Sequence, residues 1–257
     1  MIHRFITSSV RLAVILIASF VLTLMFGAVT SEDSGDDWFG RVRANADNTQ
    51  SLIALEADAI RRDATWVSRT SGGLSLRVRS GSTVSFRDTP DCDSEDVRTQ
   101  SHCSRHVYLG HHGRRGLYLV FEAHYEGGWW IVVNDTTGAQ TRVAAFPEIS
   151  RKGTCMAVFL NDSLVGPAGV EIWVRHGGAF VREYSGIPIL KLYEHSYTVT
   201  TLESWLAERV IAIRTETFVG SSQEPIVNHV IMRARNSHWN VSVNRAGSFV
   251  GTVSPTP

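Results

Sequence analysis

A chain of 257 residues with 43% apolar and 19% charged side chains has the apolar surface for a packed core, which excludes a disordered protein. Lys plus Arg and Asp plus Glu stand at 25 each, so the formal net charge is zero. A protein that neutralises many phosphates carries a basic excess, so this balance argues against a nucleic-acid partner.

Residues 1–31 read as a signal peptide or signal anchor. "MIHRFITSSVR" carries Arg4 and Arg11 and no acid, Leu12 to Val29 is an uncharged apolar run, and the chain then turns acidic at "SEDSGDD". That polarity places the amino terminus in the cytoplasm and all that follows across a membrane. The apolar core of a signal peptide is about 7–15 residues and a spanning helix needs about 20, and this run falls between them. Cleavage after Ser31, with small residues at Val29 and Ser31, and retention as an inner-membrane anchor therefore both stay open. The first cysteine is Cys92, which excludes lipid attachment to a cysteine next to the leader. The expected location is extracytoplasmic, periplasmic or secreted.

Residues 32–46 read as a polar linker. Over 47–64, "NTQSLIALEADAIRRDATW" spaces Leu52, Leu55, Ala59 and Ile60 for one short amphipathic helix, capped by Asn48 or Thr49. From Thr65 the period changes to two. "LSLRVRS" puts Leu74, Leu76 and Val78 on one side and Ser75, Arg77 and Arg79 on the other. "STVSFRD", "RHVYLGHH", "LYLVFEAHY", "WWIVVND", "QTRVAAF", "TCMAVFLND", "VEIWVRHG", "AFVREYSG", "VIAIRTETFV", "IVNHVIMRAR" and "HWNVSV" continue the pattern, many of them bounded by Gly, Asn, Asp or Pro. Gly177-Gly178 suits a two-residue hairpin. Short strands with turn signals over 65–250, followed by a tail at 251–257, predict an all-β antiparallel meander: a propeller-like array, with a β-sandwich as the alternative. In "WWIVVND", Trp130 and Val132 share one side while Trp129, Ile131 and Val133 share the other, so this strand is predicted to be covered on both faces.

The stretch "YEGGWWIVVNDTTGAQTRVAAFPEISRKGTCMAVFLND…VEIWVRHGGAFVREYS" resembles a group of exported bacterial proteins of unknown function. The shared pattern is a "YEG" before a strand, an acidic-Thr-Gly hairpin turn, a Pro ahead of an "S-x-x-G" turn and a strand with "E-I-W". "ERVIAIRTETF…HVIMRARNSHWNVS" is similar to their closing hairpin. The resemblance spans residues 74–243 and implies a β-propeller-like arrangement loosely related to WD-repeat blades, of about four blades at about 40–45 residues each. It brings no catalytic residue with it.

Few motifs carry chemistry. Cys92 and Cys103 flank a polar loop, "RDTPDCDSEDVRTQSHCSRH", and in an oxidising compartment they are expected to form a disulfide that stabilises by about 2–3 kcal/mol. Cys155, within "TCMAVFL", reads as a buried thiol. His102, Cys103, His106, His111, His112 and His124 lack the paired spacing of a zinc site and read as surface histidines. No G-x-S-x-G, H-E-x-x-H, phosphate-loop or dinucleotide motif is present. Glu122 and Glu126 bracket a strand end without identifying a converging pair of the glycosidase kind. The large aromatics Trp129, Trp130, Trp173, Trp239, Tyr118 and Tyr125 could line a sugar or peptide groove, although most are expected in the core; Tyr125, Trp129 and Trp173 are the candidates to face a ligand. Sequons at Asn134, Asn161 and Asn240 read as turn residues, with Asn134 and Asn161 exposed.

The sequence thus predicts a non-enzymatic, cofactor-free, metal-free binding or scaffold protein of the cell envelope, presenting loops or a sheet edge to an envelope protein or polysaccharide. The alternative is an envelope hydrolase or carbohydrate-binding module using surface aromatics and a carboxylate. Alkylation of the native protein, read by mass, is expected to label one thiol, rising to three after reduction; two thiols free before reduction would exclude the Cys92–Cys103 bond.

Overall fold

The computed structural model describes residues 34–89, 103–125, 127–161, 169–188, 196–219, 224–235 and 238–244. The expected leader, Cys92, His102, Glu126 and the carboxy-terminal tail lie outside them. Among the described residues no helix is long and apolar enough to cross a membrane.

The polar linker expected over 32–46 is instead a helix, α1 (Ser34–Ala44), in a unit of its own that ends at Ala44. Trp38 and Val42, one turn apart, are buried. Arg41 and Arg43 lie in the last turn, where cations complement the helix dipole. Only Trp38 and Val42 mark its buried side, a periodicity too sparse to read.

The second unit begins with α2 (Thr49–Arg62), whose cap is Asn48: its side-chain oxygen accepts the Ser51 N–H at 2.9 Å. The buried stripe of α2 is Leu52, Glu56 and Ala59, with Leu55 and Ile60 only half-buried. A carboxylate therefore occupies the middle of an apolar face, a placement that demands partners.

The rest is β, in four antiparallel meanders that keep sequence order. Sheet one holds β1 (Val67–Thr70), β2 (Gly73–Arg77) and β3 (Thr83–Arg87). Sheet two holds β4 (Arg105–His112), β5 (Leu117–His124), β6 (Gly127–Asn134) and β7 (Gln140–Val143). Sheet three holds β8 (Pro147–Ile149), β9 (Cys155–Leu160), β10 (Gly169–His176) and β11 (Ala179–Gly186). Sheet four holds β12 (Ser196–Ala207), β13 (Val210–Val219), β14 (Ile226–Arg235) and β15 (His238–Asn244). The described residues are mostly β with two helices, and among them no sheet closes on itself as a barrel. Strand β6 is buried from Trp130 to Asn134, covered on both faces as its sequence predicts. Gly177 and Gly178 turn β10 into β11, with His176 opposite Ala179. Strands β1, β8 and β12 carry no clear alternation in the sequence; β12 is rich in Thr and Ser and twice shifts register against β13.

In each four-stranded meander, the turn between strands one and two lies at the same end as the turn between strands three and four. At this end the sheets lock together. Arg79, just past β2, donates to the Gly113 carbonyl and pairs with Asp135 at 2.9 Å, joining sheet one to sheet two. Arg175, at the end of β10, donates to the carbonyls of Arg115 and Gly116 at 3.0 and 3.1 Å, joining sheet three to sheet two. Glu208, in the β12–β13 turn, accepts from the Ser150 and Thr154 hydroxyls and the Lys152 N–H, joining sheet four to sheet three. Gly153 has φ +73°, and a Cβ there would lie 2.6 Å from the Arg115 carbonyl, so only glycine lets these two turns meet. Apolar packing fills the space behind the latches. Between sheets three and four, Ile172, Val174, Ile213, Met232 and Trp239 share one buried cluster with Cys155.

One row in sheet four is polar yet buried. Thr198 faces Thr217 and Thr200 faces Thr215 across β12 and β13. The first pair shares a hydrogen bond of 3.1 Å, while the hydroxyls of Thr200 and Thr215 have no partner among the described residues.

Burial raises the Glu208 carboxyl, but the hydrogen bonds from Ser150, Thr154 and the Lys152 and Thr154 backbone together outweigh it and hold the group below the usual glutamate range. A depressed folded-state value contributes stability above the unfolded value, about 4.3, and loses it as pH falls through the folded one. In urea titrations between neutral pH and pH 3, wild type is expected to lose this increment on acidification. Glu208→Gln is expected to start lower and lack that part of the slope; parallel profiles would show that the Glu208 latch contributes nothing.

Candidate functional site

The opposite end of sheet two carries the β5–β6 tip, and here a polar-aromatic cluster spans the strands. Register places His106, Glu122 and Trp129 side by side on β4, β5 and β6. Arg142 on β7 stands opposite Ile131, two residues along the same face. Gly128 makes room: a Cβ there would lie 2.4 Å from the Glu122 carbonyl oxygen and from the Phe121 ring.

One carboxylate serves three basic groups. Glu122 lies 3.0 Å from the Arg142 guanidinium, 3.2 Å from His124 Nε2 and 4.0 Å from His106 Nε2. The Arg142 guanidinium stacks 4.7 Å from the centre of the Trp129 ring. His124 Nδ1 sits 3.1 Å from the Cys103 carbonyl, which orients the ring with Nε2 toward Glu122 and Arg142. His106 is oriented in turn by Asp88, which takes its backbone N–H at 2.8 Å and its Nδ1 at 3.2 Å.

Behind this face runs a second layer of charge. Asp88 also pairs with Arg69 at 2.6 Å, and Arg69 reaches both oxygens of Glu56 and the His106 carbonyl. Glu56 accepts in addition from the Tyr108 backbone N–H at 2.9 Å and lies 3.3 Å from Arg105. The buried glutamate of α2 thus finds its partners on sheets one and two, and fixes the strand that presents His106.

A separate cluster lies toward the latch end. His111 Nε2 meets the buried Asp135 at 2.9 Å, and its ring packs against Tyr118 and Trp66. Burial first, then the charge of Asp135, pushes the Tyr118 phenol up to about 12, and burial with Asp63 pushes Tyr108 higher still. Tyr118 donates to the Arg77 carbonyl and Tyr108 to Asp63. These rings hold sheets one and two and α2 together.

The residues singled out in the sequence separate. Tyr125 is 54% exposed at the β5–β6 tip. Trp129, on the same tip, is half-buried beneath Arg142. Trp173 is on sheet three, where its indole donates to Glu171 and Arg182 lies over its ring, so it does not join them. Trp130, Tyr118 and Trp239 are buried. Of the histidines expected on the surface, His106 and His112 are buried and His111 is largely covered, the rings of His106 and His111 meeting carboxylates and packing on aromatics, while His124 is partly exposed. Asn134, expected to be exposed, is buried, with its side-chain oxygen accepting the Thr136 and Thr137 N–H groups of the turn. Cys155 is free and buried, and its thiol is pushed up to about 11, chiefly by burial. Sequence reasoning missed Arg142, Asp88 and Glu56. The period-two pattern of β4–β7 would have placed Arg142 and Glu122 on one face had the register been known.

Among the described residues no group of three or more His, Cys, Asp or Glu is placed to hold a metal ion. No protein-family model, curated protein or solved structure matches the chain.

Removing one partner of a buried ion pair typically costs about 3–5 kcal/mol. Glu56→Ala, which strands Arg69 and the Tyr108 N–H, is expected to fall in that range by urea denaturation, and a loss under about 1 kcal/mol would show that the inner layer does not hold the site.

Proposed function

We propose that this chain is a non-enzymatic binding and scaffold protein of the cell envelope, exported by its leader and displaying the β5–β6 end of sheet two to a partner. The observation that carries this reading is the tip itself. Tyr125 is exposed at the turn, and further along the sheet Glu122 and Trp129 hold a half-exposed Arg142 in place. Exposed aromatic and arginine side chains on a rigid support are the residue types that dominate recognition surfaces. The pairing of β5 with β6 from His124 and Gly127 inward, and of β6 with β7 from Trp130 to Val133, supplies the rigidity.

The arrangement is propeller-like in this reading. Four successive meanders, each joined to its neighbour at the turn end, support a series of blades over a sandwich, which would gather the strands into two facing sheets. The loop from β3 to β4 is tied by a Cys92–Cys103 bond, the remaining pair once Cys155 is free. The partner is an envelope protein or polysaccharide, and the inner membrane is a further contact if the leader is retained.

Capture from envelope extracts with mild crosslinking, run in parallel on wild type and Tyr125→Ser, tests the reading. A partner retained by wild type and lost from an equally stable Tyr125→Ser variant is the expected result. Equal recovery by the two proteins would move the surface elsewhere, and turnover of envelope substrates with no partner would replace binding by catalysis.

A further inference from the structure

We propose that the latch end of the second unit docks on an anionic lipid surface. This is a different face from the β5–β6 tip, and it does not depend on what the tip binds. Two observations carry it, the first being charge. The latches bring hairpin turns of neighbouring sheets together: Arg79 donates to the Gly113 carbonyl, Gly153 lies against Arg115, and Glu208 takes the Lys152 N–H. In this contiguous set of turns Arg79, Arg114, Arg151 and Lys152 are exposed. The acids of turns 78–82, 112–116, 134–139, 150–154, 175–179 and 207–210 are Asp135 and Glu208 alone. Asp135 is buried against Arg79 and His111, and Glu208 is taken up by Ser150, Thr154 and the Lys152 backbone. The side chains of Arg151 and Lys152 make no hydrogen bond or ion pair among the described residues, so their charge faces solvent.

The formal neutrality of the chain hides this bias. The segment from β3 to β4 leaves and re-enters at the opposite end of the sheets, where Thr89 bridges Ser104, and its sequence holds Asp91, Asp93, Glu95 and Asp96. Acids that balance the basic turns in the composition are thus joined to the other end.

The second observation is Leu206. Strand β12 slips register against β13 between Trp205 and Ala207, which leaves Leu206 as the extra residue of a bulge, two positions before Glu208. It is 56% exposed. A leucine at the rim of a basic surface gains nothing from a polysaccharide or nucleic acid, which would leave it in water. Against a bilayer it enters the boundary between headgroups and acyl chains while the cations meet the lipid phosphates.

Amide hydrogen exchange of the full chain, on vesicles of phosphatidylcholine alone and on vesicles with about one third phosphatidylglycerol, tests the proposal. The readout is local to the turns, so a leader that inserts into both kinds of vesicle does not mask it. Exchange over 113–116, 150–154 and 206–209 is expected to be at least about fivefold slower on the anionic vesicles, the factor that one cation near such a surface supplies. The double variant Arg151→Gln with Lys152→Gln, unchanged in melting, is expected to lose that difference, because these two side chains take no part in the latches. No difference between the vesicles, or one that survives the double variant, would overturn the proposal. Slowing by heparin with none on anionic vesicles would overturn it in favour of a soluble polyanion, and slowing over 123–129 in place of the turns would move the membrane to the tip.

Discussion

Everything in the second unit depends on charged side chains satisfying the hairpin turns of a neighbouring sheet. A meander of four short strands is stable only if both of its faces and the polar groups at its turns find partners. Here Arg79, Arg175 and Glu208 each leave one sheet and hydrogen-bond to a turn of the next. The bonds are charge-assisted, so each is stronger than a neutral equivalent, and each also fixes the rotation of one sheet on another. Apolar packing supplies most of the stabilisation behind them but is not directional. The latches choose the arrangement, and the core then fills it.

With one end of the sheets committed to latching, the other is the end proposed for recognition. The β5–β6 tip inherits its position from the pairing of those two strands, and the charge layer from Glu56 through Arg69 and Asp88 to His106 braces it from below. Removing this layer would leave Glu122 and Arg142 on a sheet free to shift against α2. A surface with two ranks of ion pairs is rigid before any ligand arrives, which lowers the ordering cost of binding.

How far the sequence discloses this can be followed residue by residue. Strands with clean alternation, such as "LSLRVRS" or "AFVREYS", were legible because burial on one face leaves a period of two. Trp130 and Val132 against Ile131 and Val133 told of cover on both faces. Strand β12 was not legible, because its inward positions are threonines, which look like surface residues until a second sheet covers them. Helix α1 was hidden for a similar reason, having only Trp38 and Val42 to mark its buried side. The candidate site was half visible. Tyr125 and Trp129 stand out by type, but Arg142 acquires its role only through a register that places β7 beside β6. His106, His111 and His112 were misread, since nothing local distinguishes a ring on the surface from one that is covered.

The threonine row of sheet four has a consequence of another kind. Thr200 and Thr215 hold their hydroxyls in the interior without acceptors among the described residues, so the native state bears a desolvation penalty there that the unfolded chain does not. Valine has nearly the same shape and no hydroxyl to desolvate. This sheet therefore sits below the stability its own backbone would allow, and its seam with the rest of the protein is the natural first place for the molecule to open.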